Sequence, residues 1–316
     1  MKLSVALCTY NGSKFIEQQI NSILNQTIKV DEIIVCDDKS TDATVAILKE
    51  LQVTYPCIVI IENELNLRST KNFEKAIQRC SGDYIFLADQ DDLWNEEKVA
   101  KTLAIFKENP SAEGVFSNAD LIDDNGTKLS NKTIWDSVFF FEKELPKPID
   151  FIDIIFKNGN IVTGATLCIK KEVKSFIFPF SEDNLHDEWI ASLLAFRNTL
   201  FYSTENLISY RIHENQQVGM KNLEKMEEII RKKRIIIGLD TPKSFQEHRF
   251  LLKKMFLKQK ELVNFQKYNF EFIDFQKLQS KNLLEWKLFT EKTKKAFPIQ
   301  FKIASLIDTI LGKRTL

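Results

Sequence analysis

Tyr84-Ile85-Phe86-Leu87-Ala88-Asp89-Gln90-Asp91-Asp92 joins an apolar run to a cluster of acids. A short continuous apolar stretch of this kind reads as a strand buried on both faces, so the carboxylates emerge where that strand ends. Clustered, partly desolvated carboxylates repel one another, and the position is costly unless something positive arrives. A divalent cation carrying a diphosphate is a natural partner. Hard ions such as Mg²⁺ or Mn²⁺ take oxygen ligands and are usually held by one or two carboxylates plus substrate phosphates. The alternative is an acidic turn capping the next helix, which Glu96 and Glu97 in its first turn would equally suit.

Outward from this stretch, strands and helices alternate from the first residue. An apolar strand, Leu3-Ser4-Val5-Ala6-Leu7-Cys8, meets the polar turn Thr9-Tyr10-Asn11-Gly12, and a helical pattern follows through Ile16, Ile20, Ile23 and Leu24. A second strand, Glu32-Ile33-Ile34-Val35-Cys36, ends in Asp37-Asp38 and Ser40-Thr41-Asp42 before another helix. Such alternation predicts an α/β fold with a parallel sheet and right-handed crossovers, whose ligands sit beyond the carboxyl ends of the strands. Thr9, Asp37 with Asp38, and Asp89 with Asp91 should gather at that edge.

The runs Ser4 to Gly12, Ser22 to Thr27 and Glu32 to Asp42 resemble the start of a family 2 glycosyltransferase. Asn72-Phe73, Ser81-Gly82-Asp83-Tyr84 and Ala88-Asp89-Gln90-Asp91-Asp92-Leu93-Trp94, with Lys98 beyond, continue the likeness. Thr163-Gly164-Ala165, His186-Asp187 and Tyr210-Arg211-Ile212-His213-Glu214-Asn215 resemble blocks of the rhamnosyltransferase-like branch, so the resemblance covers about the first 220 residues. It implies a GT-A fold with a mostly parallel central sheet and an inverting transfer from a nucleotide-diphosphate sugar. It also implies a nucleotide contact at Thr9, Tyr10, Asn11 and Asp38, a ribose or metal contact at Asp89, and a metal ligand at Asp91.

Each assignment meets a plainer reading of the same residue. Asp38 can accept hydrogen bonds from a pyrimidine N–H or a ribose hydroxyl, or can merely cap a turn beside Ser40. Inverting displacement requires a carboxylate base near the acceptor hydroxyl. In Asn184-Leu185-His186-Asp187-Glu188-Trp189 the resemblance makes Asp187 that base, with Glu188 the runner-up, although Asn184 and Asp187 also have helix-capping spacing. His213 resembles a late family histidine that joins the acidic motif at the metal; a lone histidine is otherwise a structural group. Arg211 offers a fork that matches phosphate, and His186 reads as structural or acceptor-facing. Arg68 stands where many relatives carry a small residue, which puts that loop's approach to the nucleotide in question.

Composition removes several classes. The chain has 316 residues, a formal net charge of zero, nine glycines and three histidines. Nothing in it reads as a Walker loop, a dinucleotide fingerprint or a dense zinc cluster, and no global charge recruits nucleic acid. Five scattered cysteines, Cys8, Cys36, Cys57, Cys80 and Cys168, read as reduced buried thiols of a cytosolic protein. No cleavable signal or membrane-spanning run is expected.

The expected organisation is a catalytic domain over 1–220 and a helical region over 221–316. Beyond about residue 220, Lys, Glu, Gln, Leu and Phe dominate and predict helices over Met226 to Ile237 and His248 to Phe275. Phe297 to Leu311, with Lys294-Lys295 before it and Lys313-Arg314 after it, reads either as a surface lying on anionic lipid at the inner face of the cytoplasmic membrane or as a helical appendage that packs its phenylalanines on the catalytic domain with its lysines in solvent. The leading function is a transferase that builds a bacterial surface polysaccharide on a glycan or polyprenyl-linked acceptor, with rhamnose as a candidate sugar. A sugar nucleotidyltransferase and a noncatalytic nucleotide-sugar-binding scaffold are the alternatives.

Overall fold

The computed structural model describes residues 1–213, 226–268 and 270–310. In chain order its elements are β1 (Leu3–Thr9), α1 (Ile16–Leu24), β2 (Glu32–Asp37), α2 (Thr44–Thr54), β3 (Ile58–Glu62), α3 (Arg68–Arg79), β4 (Tyr84–Ala88), β5 (Leu93–Trp94), α4 (Lys98–Glu108) and β6 (Gly114–Ile122). There follow β7 (Lys128–Thr133), α5 (Ile134–Ser137), α6 (Phe151–Asn158), β8 (Cys168–Lys170), α7 (Lys174–Ile177), α8 (His186–Phe196) and β9 (Leu200–Arg211). Four helices come last: α9 (Met226–Ile236), α10 (Phe245–Gln266), α11 (Phe275–Ala296) and α12 (Pro298–Ile310).

Two compact units result. One holds Met1–Phe140 and the described residues from Asn160 to the end of β9; the other holds Phe141–Gly159 and α9 to α12. Residues 141–159, within the expected first domain, group with the C-terminal helices.

In the first unit the sheet runs β3-β2-β1-β4-β8-β6-β9-β5, with β7 on β6. The chain lays β2 and β3 on one side of β1, then returns to place β4 on its other side, all in parallel. That reversal between β1 and β4 is a topological switch point, where the crossovers diverge and leave a crevice at the strand ends. Every residue of β1 is buried, which its unbroken apolar run anticipates for a strand covered on both faces. The register sets Thr9 opposite Asp37 and Leu7 opposite Ala88, so the polar turns after β1, β2 and β4 open at one rim. Beyond β4 the sheet becomes mixed, because β8 pairs antiparallel with β4 and β6 whereas β9 runs parallel to β6.

The second unit is helical. Asp150 caps α6 through the Asp153 N–H at 2.9 Å, Ser244 and Glu247 form a capping box on α10, and Asp274 caps α11. Leu252, Met255, Leu262, Phe265 and Phe275 fill its core, and Arg249 ties α12 to α10 through Asp308 at 2.6 Å. Phe301 is buried and Phe297 lies edge-on to His248, so the aromatic side chains of the candidate membrane stretch turn inward. The aliphatic ones do not. Ile299, Ile303, Leu306 and Ile307 are 71%, 54%, 63% and 45% exposed on one side of α12. Leu311, Lys313 and Arg314 lie outside the described residues.

Candidate active site

The rim acids are organised by the turn after β1. Asn11 adopts a left-handed backbone with φ 50°, receives the Thr41 N–H on its side chain at 2.8 Å and donates its own N–H to Ser40 Oγ at 2.9 Å. Gln90 accepts the Tyr10 N–H at 2.8 Å and returns its amide to the Tyr10 carbonyl at 3.1 Å, which locks the acidic loop to the end of β1. Gly12 permits this approach, since a Cβ there would lie 2.2 Å from Gln90 Oε1. Thr9 donates its hydroxyl to Asp37 at 2.7 Å, and Asp37 also accepts the N–H and hydroxyl of Ser40.

Asp38 is buried and does more than turn the chain. Its carboxylate accepts the N–H groups of Leu67 and Arg68 at 2.6 and 2.8 Å and the Asn63 amide at 3.0 Å. It therefore holds the loop before α3 against the rim, whereas Ser40 belongs to Asp37. Arg68 sits at φ 62°, a conformation a β-carbon disfavours, which is a physical reason for a smaller residue at this position.

The two ends of the first unit meet at the acidic loop. β5 pairs antiparallel with β9, Leu93 opposite Ser209 and Trp94 opposite Ile208, and this brings the end of β9 beside Asp91 and Asp92. His213 Nε2 lies 2.9 Å from Asp91 Oδ2, with Phe15 against its ring. Arg211 is 1% exposed and donates to the carbonyls of Asp91, Asp123 and Asp124 at 2.8, 2.9 and 2.9 Å and to Gln18 Oε1 at 3.2 Å. Those contacts make it a clamp on two loops, so the geometry lends no support to the phosphate role. Glu214 and Asn215 lie outside the described residues.

Charge accumulates here. Burial, then Asp91 and Asp187, push the Asp89 carboxyl up to about 7. Burial and the neighbouring Asp91 and Asp89 drive Asp92 well above the carboxylate range; its Oδ1 receives the Arg211 N–H at 3.0 Å, while its Oδ2 is buried with no hydrogen bond among the described residues. Lys98 answers from within, its pKa brought down by burial to about 7 despite Asp92 and Asp89. Among the described residues no three His, Cys, Asp or Glu side chains converge as a metal cage. A carboxylate beside an imidazole, with Asp89 adjacent in a crowded field of negative charge, fits a cation whose remaining ligands are substrate oxygens.

Asp187 opens α8. Leu185 is the N-cap and offers no side-chain bond, so the alternative of an Asn184 cap is not what the structure has. Asp187 instead accepts the N–H of Glu188 at 2.7 Å and that of Gly164 at 3.0 Å. Burial raises it to about 6 against these donors. Glu188, the second candidate, is likewise raised by burial. His186 stacks on Phe73 at 3.9 Å; burial lowers its pKa to about 3, which leaves a neutral ring packed against Gly164. Neither ring nitrogen has a hydrogen bond among the described residues.

Comparison with known proteins agrees with this geometry. The model of glycosyl transferase family 2 matches residues 4–165. A dTDP-rhamnosyl transferase, RfbG, of Shigella flexneri is 30% identical over 239 residues, 67% of this chain and 73% of its own. An uncharacterized glycosyltransferase of Haemophilus influenzae is 27% identical over 230 residues, 71% of this chain and 70% of its own. Among solved structures, S. aureus TarS 1-349 in complex with UDP-GlcNAc has a TM-score of 0.54 at 20% identity, covering 81% of this chain and 73% of that one. Mannosyltransferase PcManGT from Pyrobaculum calidifontis, in complex with GDP-Man and Mn²⁺, has a TM-score of 0.53 at 14% identity, covering 99% and 88%. The sheet, its switch point and these likenesses give the fold as GT-A with a helical C-terminal region. The family match over half of the sequence gives the rest: the chain belongs to glycosyl transferase family 2.

Proposed function

We propose that this protein is an inverting glycosyltransferase in which Asp187 is the base. The observation that carries the reading is the pairing of a part-buried carboxyl, raised to about 6 and oriented by the Gly164 amide, with a separate acidic rim at the switch point. Asp187 takes the proton of an acceptor hydroxyl as that oxygen attacks the anomeric carbon. The bond from that carbon to the diphosphate breaks, and the nucleoside diphosphate leaves with the electron pair. Thr9, Tyr10, Asn11, Asp38 and Asp89 contact the nucleotide, through the β1 turn and the loop that Asp38 holds. Asp91 and His213, with Asp89, would hold Mg²⁺ or Mn²⁺, which when bound supplies positive charge for the departing diphosphate.

The donor we infer is a deoxythymidine-diphosphate rhamnose, supported by the 30% identical rhamnosyl transferase. The acceptor we infer is a glycan or polyprenyl-linked saccharide of bacterial surface polysaccharide synthesis. Peripheral contact with an anionic membrane would serve that acceptor, and the exposed aliphatic face of α12 beside Lys294, Lys295 and Lys302 supports it. No described helix is long and apolar enough to cross a membrane.

Product analysis tests the reaction. Transfer yields a free nucleoside diphosphate, nucleotidyl transfer yields pyrophosphate, and a scaffold yields neither. Asp187→Asn should bind donor within about threefold of wild type while transfer drops by at least about 100-fold, the scale of lost general-base catalysis. Near-normal transfer by this variant would remove Asp187 from the role.

A further inference from the structure

Lys98 carries a cation where none is expected, at the first residue of α4 and 1% exposed. An ammonium so placed needs partners. Its Nζ donates to the Ala165 carbonyl at 2.6 Å and stands 4.1 Å from the centre of the Trp94 ring. Asp92 is the neighbouring group that acts on it most strongly. Ala165 lies in the short turn Gly164–Thr166, and the N–H of Gly164, one residue earlier, is the donor to Asp187 Oδ2. Lys98 and Asp187 are therefore joined through two hydrogen bonds on one turn.

We propose that Lys98 is a positioning residue: by holding the Ala165 carbonyl, its amine sets where Gly164 presents its amide to Asp187. The inference rests on Asp187 being the base. An amine on a flexible stem suits this junction, because it reaches a single carbonyl without the planar fork of an arginine. Removing it frees the turn to shift by a fraction of an ångström, and misplacement on the scale of 1 Å costs about 100-fold in rate. The loss should fall on kcat, since the nucleotide contacts at the ends of β1 and β2 do not involve this turn.

The test uses the full chain as Lys98→Met and as Asp92→Asn/Lys98→Met, the second variant also replacing the buried Asp92 carboxyl so that loss of folding in the single variant does not end the test. Donor affinity is measured by calorimetry with Mg²⁺ or Mn²⁺ present, transfer kcat is normalised to donor-binding sites, and Asp92→Asn alone is the reference for the double variant. The expected result is donor affinity within about threefold and transfer kcat lower by about 100-fold in the double variant relative to its reference. A kcat within about threefold of the reference overturns the proposal, as does a kcat loss matched by an equal loss of donor affinity. If both variants are unfolded, Lys98 supports the fold rather than the reaction, and the proposal also fails. Should Asp187→Asn prove active, the base assignment fails instead, which separates the two claims.

Discussion

Asp89 and Asp187 show at the residue scale how a rim built for charge costs stability. Asp89 titrates near 7 in the folded chain, above the ordinary carboxylate value, so folding takes up a proton between about pH 4 and 7 and stability is lost as pH rises through that window. Asn at this position carries no charge to bury. Asp89→Asn should melt a few degrees higher than wild type at about pH 8, with the difference vanishing near pH 4, and should lose donor turnover; a melting midpoint below wild type at the higher pH would contradict the account. As the proposed base, Asp187 gives a kinetic prediction of the opposite slope, because a base must be ionised. kcat/KM should fall about tenfold per pH unit below about 6 and level off above it, as a pH-rate profile with a soluble acceptor would record. A profile flat from pH 5 to 8 would argue against a carboxyl base of this pKa.

Among the elements, the end of β9 has a larger part in the site than its position in the chain suggests. Two residues of β5 pair with it, and Arg211 at its last position gathers three carbonyls from two loops. Lysine keeps the charge but not the fork. Arg211→Lys should therefore cost about 2–4 kcal/mol of stability by leaving buried carbonyls unpaired. If Arg211 touched phosphate instead, the same change would weaken donor binding and leave the melting midpoint unmoved; thermal denaturation alongside calorimetry decides. α3 has a comparable double duty, since Phe73 backs His186 while Asn72 bonds the Cys36 carbonyl and Asn63 near Asp38.

For the molecule as a whole, zero net charge means that any surface attraction must come from local patches. α12 offers such a patch. Asp308, the acid within it, is buried and paired with Arg249, so the exposed charge described on this helix is Lys302. Deleting residues 298–316 should remove most flotation with anionic vesicles while transfer to a soluble acceptor stays within about twofold of wild type. Equal flotation with neutral vesicles would point to a purely apolar attachment, and unchanged flotation of the truncated chain would end the membrane reading.

The strands at the switch point were legible in sequence because buried parallel strands write themselves as unbroken apolar runs. The polar turns of Thr9, Asp38 and Asp89 were legible because they interrupt those runs abruptly. The five cysteines are all free thiols, although Cys57 is only half-buried. Local pattern could say neither that residues 141–159 leave for the helical unit nor that Phe297 and Phe301 turn inward, since both depend on which distant surface is available to cover an apolar side chain. The clamp of Arg211, the Gly164 amide on Asp187 and the burial of Lys98 likewise join positions far apart in the chain. Sequence determined the order of the elements and the chemistry available at their ends. Tertiary structure decided which acids are isolated from water and which amide or ammonium meets each of them, because desolvation and hydrogen-bond distance exist only once the chain has closed.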